Sequence, residues 1–188
     1  TMYFEISSGH LVKEIFEKKR VPAEILSHFK NKLLAIRPSP VIDLSAKNEP
    51  FLYIGLDDRS YEILKKTVGI KKASQLYLSF LRMFSSNVYN LDLENCDELR
   101  KLLENLKRPD SLSEYSNPNQ ISRIKKLISL ETGSNFPRSI SEQLIAVINS
   151  IYKSWISPTQ KILRDVSGRK SEELIPIILQ EMHSGIED

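Results

Sequence analysis

Ser139-Ile140-Ser141-Glu142-Gln143-Leu144-Ile145-Ala146-Val147-Ile148-Asn149-Ser150-Ile151-Tyr152-Lys153-Ser154-Trp155 is the stretch on which the fold turns. Its apolar residues Ile140, Leu144, Val147, Ile148, Ile151, Tyr152 and Trp155 recur at steps of three and four, which places all of them on one helical stripe. Ser139 or Ser141 caps the start, and Glu142 adds negative charge to the first turn, where the helix dipole favours it. Pro158 stands just past the stripe and separates it from a short helix expected over Thr159 to Val166. At the end of the stripe, Trp155 is expected in the core.

Working outward, a second stripe runs through Leu76, Tyr77, Phe80, Leu81, Phe84 and Val88. Shorter helical patterns lie at Val12 to Phe16, Tyr61 to Val68, Leu99 to Leu106 and Ile121 to Ile128. Strand signals are few. Leu33 to Arg37 is an apolar run ended by Pro38 and Pro40, and Phe51 to Ile54 is an aromatic and β-branched run stopped by Gly55, so the two are expected to pair. Leu174 to Met182 reads as a third strand or as a helix; as a strand, Pro176 restricts it to an edge or to the first paired residues, because proline donates no ladder hydrogen bond. Lys107 to Gln120, rich in Pro, Ser and Asn, reads as a surface linker. The pattern predicts an α+β, mostly helical chain with a few short strands and no internal repeat.

The composition fits a packed globular protein. Of 188 residues, 40% are hydrophobic and 27% charged, enough for one core or a core with a subdomain. No apolar run approaches the roughly 20 residues a spanning helix needs, so no membrane association is expected. The start lacks the basic, apolar build of a secretory signal. A single cysteine, Cys96, excludes an internal disulfide and fits a reducing, cytoplasmic compartment. The 27 Lys and Arg against 24 Asp and Glu give a net charge of +3. The cations fall in pairs such as Lys65-Lys66 and Lys71-Lys72, which read as solvated helix faces; without an aromatic-basic platform, nucleic acid is not an expected partner.

The commonest catalytic signatures are missing. His10, His28 and His183 have no carboxylate or cysteine at metal-ligand spacing, and the chain holds no Gly-x-Ser-x-Gly elbow, Walker loop or dinucleotide fingerprint. Cys96 sits among Glu94, Asp97 and Glu98, whose negative charge disfavours a thiolate. Arg37 is the residue with the clearest two readings. At a strand end before a proline-restrained loop, its fork of donors matches phosphate oxygens; alternatively it pairs with Asp43 or Glu49.

Several blocks, taken together, are similar to a known family. Asn135-Phe136-Pro137, Glu142-Gln143-Leu144 and Lys153-Ser154-Trp155-Ile156-Ser157-Pro158 resemble the nucleotide-binding part of pyruvate, phosphate dikinase, with its Phe-Pro step, its Gln-Leu pair and its aromatic-Arg-Ser-Trp helix end. Leu33-Leu34-Ala35-Ile36-Arg37 looks like that family's strand ending in Val-Arg-Ser-Gly. Leu52-Tyr53-Ile54-Gly55-Leu56-Asp57-Asp58 is similar to its Leu-Asn-Leu-Gly-Leu-Asn-Asp, and Tyr77, Phe80, Met83 and Phe84 fall on its Tyr-Arg-Arg-Phe-Ile-Gln-Met-Phe helix. Gln180, Met182 and Gly185 resemble its Gln-x-Met-Val-x-Gly strand.

The resemblance implies a segment of an ATP-grasp domain with a helical subdomain, which binds Mg-ATP and passes phosphate to a histidine on a separate phosphohistidine domain of the same or another chain. It implies an α/β part over residues 1–58, a helical subdomain over 59–157, and the start of the second ATP-grasp subdomain over 158–188. Arg37 would contact the nucleotide phosphates, and Gln180, Met182 and His183 would form a hinge strand beside the adenine, the two segments facing each other across the nucleotide. The family's metal-binding acids have no counterpart here, no catalytic residue is assigned, and the isolated chain is not expected to turn over.

The departures matter equally. Pro38-Ser39-Pro40 replaces a glycine-rich turn, removing amides that approach a phosphate, and Leu78 and Ser79 replace two helix arginines. Thr159 replaces a third arginine, while Arg164 retains the next. They support an alternative: a degenerate, non-catalytic copy acting as a helical interaction or regulatory module.

Overall fold

A computed structural model describes residues 3–6, 9–38, 50–92, 101, 118–166 and 177–182. The elements run β1 (Tyr3–Ile6), α1 (Gly9–Lys18), α2 (Ala23–His28), β2 (Leu33–Pro38), β3 (Phe51–Ile54), α3 (Asp58–Val68), α4 (Ile70–Met83), a π-helical turn (Phe84–Val88), α5 (Pro118–Thr132), α6 (Ile140–Trp155), α7 (Pro158–Val166) and β4 (Ile177–Met182). The described residues are thus α+β and mostly helical. They divide into two compact units, one of residues 1–54 with 141–183 and one built on residues 55–140.

In the first unit the strands form an antiparallel sheet of order β1-β4-β2-β3. The expected pairing of the Leu33 and Phe51 runs is present. Of the placements open to it, β4 takes that of a strand whose pairing opens at the proline and not that of an edge: it starts at Ile177, one residue past Pro176, so the proline costs it no ladder amide. It therefore pairs on both sides, with β1 and with β2. Neither β1 nor α2 was legible as an element.

Leu34, Ile36, Ile177 and Leu179 are each 0% exposed, and of their neighbours on the other face only the small Ala35 is also buried, so one sheet face carries most of the core. Val12, Ile15, Ile25 and Phe29 add to it, as do Leu144, Val147, Ile148 and Ile151 of α6. The C-terminal end of α1 docks on α6: the Phe16 and Tyr152 rings lie 4.5 Å apart, and Lys19 Nζ donates to Asn149 Oδ1 at 2.9 Å.

The expected helix after Pro158 is present as α7. Pro158 opens it at the position where a missing amide hydrogen costs nothing, and Ser157 Oγ accepts from Gln160 N at 3.4 Å. Trp155 departs from expectation, since it is half-buried and not a core residue. Its indole is roofed by the Arg164 guanidinium, 4.1 Å from the ring centroid, and Arg164 is the residue that is 2% exposed. Arg164 Nη1 also donates to the Trp155 carbonyl at 2.6 Å, satisfying an end carbonyl of α6.

The second unit is helical. Asp57 and Ser60 form a capping box at the start of α3, each side chain bonding the other's backbone N–H at 2.7 Å. Gly69 joins α3 to α4 with φ 81°, a conformation glycine adopts without strain. The second apolar stripe lies on α4 and runs into the π-helical turn, where Tyr89 N bonds Phe84 O at 3.3 Å and Ser85 Oγ donates to Leu81 O at 2.7 Å. Its rings form a continuous stack: Tyr61 on Tyr77 at 5.1 Å, Tyr77 on Phe80 at 6.1 Å, then Phe84 and Phe136 against Phe80 at 5.4 and 5.9 Å. The stretch expected as a linker, Lys107 to Gln120, is already helical at Pro118, the first residue of α5. Its earlier part, and all but Lys101 of the pattern at Leu99 to Leu106, lie outside the described residues.

Candidate functional site

Strand register decides where the nominated residues stand. Leu33 is opposite Met182, Ala35 opposite Gln180 and Arg37 opposite Ile178. Directly opposed residues of an antiparallel pair project to the same face, so these six share the face opposite Leu34, Ile36, Ile177 and Leu179. Ala35 is buried there, Leu33, Ile178, Gln180 and Met182 are half-buried, and Arg37 is exposed.

Arg37, Gln180 and Met182 are therefore brought together on one face. The arrangement differs from two segments facing each other across a nucleotide, because β2 and β4 are hydrogen-bonded neighbours. Arg37 and Met182 sit at opposite ends of the shared ladder, four positions or roughly 13 Å apart along the strands. His183, and the alternative Arg37 partners Asp43 and Glu49, lie outside the described residues.

Two contacts fix the Met182 end. The β2–β3 register slips between Leu34 and Ile36, a bulge in which Tyr53 takes φ 60°. This turns the Tyr53 N–H toward the Met182 thioether, with N to Sδ at 3.3 Å. Beside it, Lys32 Nζ bridges Glu181 Oε2 at 2.8 Å, both side chains about a quarter exposed at 26% and 23%. Sequence reasoning missed Tyr53 and the Lys32–Glu181 pair. The only signal for the first was the place of Tyr53 in the Leu52-to-Asp58 block.

A separate polar cluster ties the helices of the second unit. Asp58 Oδ1 accepts from Tyr77 Oη at 3.0 Å and from Lys125 Nζ at 2.6 Å, joining α3, α4 and α5. Burial pushes the Tyr77 phenol well above its usual range, and the Asp58 carboxylate adds to this. For Asp58, burial raises the pKa, but the Lys125 bond and charge, the Tyr77 bond and the Arg138 charge outweigh it and hold the carboxyl below its usual value. A carboxyl lowered in the folded state stabilises above its unfolded pKa and loses that contribution as pH falls through the folded value. The chain is expected to be more stable than its Asp58→Asn form at pH 7, with the gap closing below about pH 4. Urea midpoints at pH 7 and pH 3 check this; a gap unchanged between them contradicts it.

Among the described residues no group of three His, Cys, Asp or Glu side chains is placed to hold a metal ion, and no helix is long and apolar enough to cross a membrane.

No family model matches the chain. Curated relatives do. The chain is 24% identical over 139 residues to the pyruvate, phosphate dikinase of Giardia intestinalis, a match covering 72% of this chain and 16% of that protein. It is 26% identical over 140 residues to the enzyme of Rhizobium meliloti (strain 1021), with the same coverage of 72% and 16%. Against the chloroplastic enzyme of Mesembryanthemum crystallinum, identity is 26% over 171 residues, 87% of this chain and 18% of the relative. The chain is thus distantly related to a segment of pyruvate, phosphate dikinases, and spans about a sixth of their length.

Proposed function

We propose that the chain is the ATP-binding part of a dikinase-like phosphotransferase, an ATP-grasp segment with a helical subdomain. Phosphate passes from ATP to a histidine on a phosphohistidine domain of the same or another chain. The observation that carries this reading is the polarity of one sheet face, with Gln180 and Met182 toward one end and the exposed Arg37 at the other. An adenine nucleotide has the same polarity, a flat base at one end and anionic oxygens at the other. The distant relation to dikinases supports the same assignment.

On this reading the Arg37 fork takes phosphate oxygens. The Gln180 amide, both donor and acceptor, meets the base edge, Met182 packs on the ring, and His183 follows them. Phosphoryl transfer relies on alignment and charge stabilisation, which is what an arginine at the phosphate end supplies. Residues 1–58 serve as the α/β part, 59–157 as the helical subdomain, and 158–188 carry the hinge strand. ATP is used with magnesium in such a transfer. No residue of this chain is assigned to hold the ion, and no step is assigned to it.

Titrating ATP and adenosine into the chain and its Arg37→Ala form tests the assignment. The substitution is expected to weaken ATP about tenfold or more and to leave adenosine unchanged, since a charge-assisted hydrogen bond is worth about 1.5–3 kcal/mol. Equal ATP affinity removes Arg37 from the site.

A second reading, a non-catalytic copy acting as a helical interaction or regulatory module, is favoured by Leu78. Where the dikinase block has arginine, Leu78 is 1% exposed and packs in the core of the second unit. Absence of ATP binding by a form extended to the length of the dikinase ATP-binding part would select this reading.

A further inference from the structure

The corner between α3 and α4 carries charge and apolar surface that the nucleotide reading does not use. On α3, Tyr61 and Leu64 face the core, which leaves Arg59, Ile63 and Lys66 on the outer side at steps of four and three. Across Gly69, α4 begins with Ile70, Lys71 and Lys72, all exposed, while Ala73, Ser74 and Tyr77 turn inward. Ile63 is 52% and Ile70 49% exposed, large values for isoleucine on helices whose other apolar residues are buried or half-buried.

The α3 acids are already engaged, Asp58 by Lys125 at 2.6 Å and Asp57 in the helix cap. Arg59, Lys66, Lys71 and Lys72 form no ion pair among the described residues, whereas Lys65 and Glu62 neutralise each other at 2.6 Å. The first turn of α4 contains no acid and its capping position supplies no side-chain bond, so the two lysines there add to the positive end of the helix dipole. Such a surface sits unfavourably until negative charge meets it.

We propose that this corner docks an acidic, amphipathic helical segment of a partner protein, whose aliphatic side chains cover Ile63 and Ile70 while its carboxylates meet Arg59, Lys66, Lys71 and Lys72. Charge complementarity selects an acidic partner, and the two isoleucines select among acidic partners. Nucleic acid would need aromatic stacking platforms beside its phosphates, yet among the described residues no exposed aromatic ring stands on this corner: Tyr61 is 4% exposed, with Lys65 Nζ 5.0 Å over its ring. A membrane-binding face would carry a broader apolar stripe with bulky anchors.

The test uses fluorescence anisotropy with a labelled helical peptide of Glu and Leu, its leucines at steps of three and four, and the same peptide with serine for leucine. Phosphatidylserine vesicles and an oligouridylate are added as competitors. The leucine peptide is expected to bind saturably, about tenfold more weakly to a Lys66→Glu/Lys71→Glu form and several-fold more weakly to an Ile63→Ser/Ile70→Ser form. The serine peptide should bind no better than that second variant binds the leucine peptide. All four positions are exposed, so helical circular dichroism and thermal midpoint should be retained. ATP should not compete, which keeps this result separate from the nucleotide reading. Equal binding of the two peptides, no effect of the isoleucine changes, stronger binding of vesicles or oligouridylate, or no saturable binding overturns the proposal.

Discussion

Replacing Phe80 by alanine is expected to lower the unfolding free energy by about 4 kcal/mol. Phe80 is 0% exposed and its ring touches those of Tyr77, Phe84 and Phe136 at centroid distances of 6.1, 5.4 and 5.9 Å. Truncation removes the transfer free energy of the benzyl group and leaves a cavity that three rigid rings cannot refill. The edge-to-face contact with Phe136, at 89°, adds roughly 0.5–1.5 kcal/mol beyond area. Because Phe80 and Phe136 share that contact, the double substitution should cost less than the two single losses combined. Urea unfolding followed by far-UV circular dichroism measures both; a loss below about 1 kcal/mol would contradict the packing described.

The second large effect concerns Arg164, whose replacement by alanine should cost about 2–3 kcal/mol. A hydrogen bond from a charged donor contributes roughly 1.5–3 kcal/mol, and a desolvated cation–π contact contributes about 2 kcal/mol. Part of this is offset by the cost of burying a guanidinium. Alanine leaves the Trp155 carbonyl without its 2.6 Å donor and uncovers the indole. Trp155 is the single tryptophan of the chain, so its emission reports this site alone, and a red shift should accompany the loss of stability. Arg164→Lys should recover little of either, because an ammonium cannot lie flat on the ring while reaching the carbonyl. An unshifted spectrum in the alanine form would mean that something other than Arg164 shields the indole.

The helices were legible where a 3.6-residue period ran long enough to be unambiguous. The α6 stripe is buried at Leu144, Val147, Ile148 and Ile151 as its spacing requires, and the α4 stripe likewise at Tyr77, Phe80 and Leu81. In α6 the polar Gln143 is also 0% exposed, but it carries no apolar signal and stood out only beside Leu144 in the Gln-Leu pair. β1 spans four residues, too few for a period to register. The place of β4 stayed open between an edge and a ladder opening at Pro176, because one proline fits both; the ladder begins just beyond it.

For the candidate site, the strand assignments already put Arg37, Gln180 and Met182 near strand ends. Which of them share a face depends on register, and register is a property of two segments that neither one encodes alone. The Tyr53 to Met182 contact needs a left-handed backbone at a tyrosine, which local propensity opposes. Trp155 was misplaced for a related reason: its half-buried position depends on Arg164, nine residues away and across a proline.

The sheet order also has a bearing on how the protein comes into being. β4, near the end of the 188-residue chain, is the strand that joins β1 to β2, both from the first forty residues. During synthesis those early segments emerge long before the piece that links them, while residues 55–140 can condense using neighbours close in sequence. The order of emergence lets the helical unit form from local contacts before β4 is made to complete the sheet.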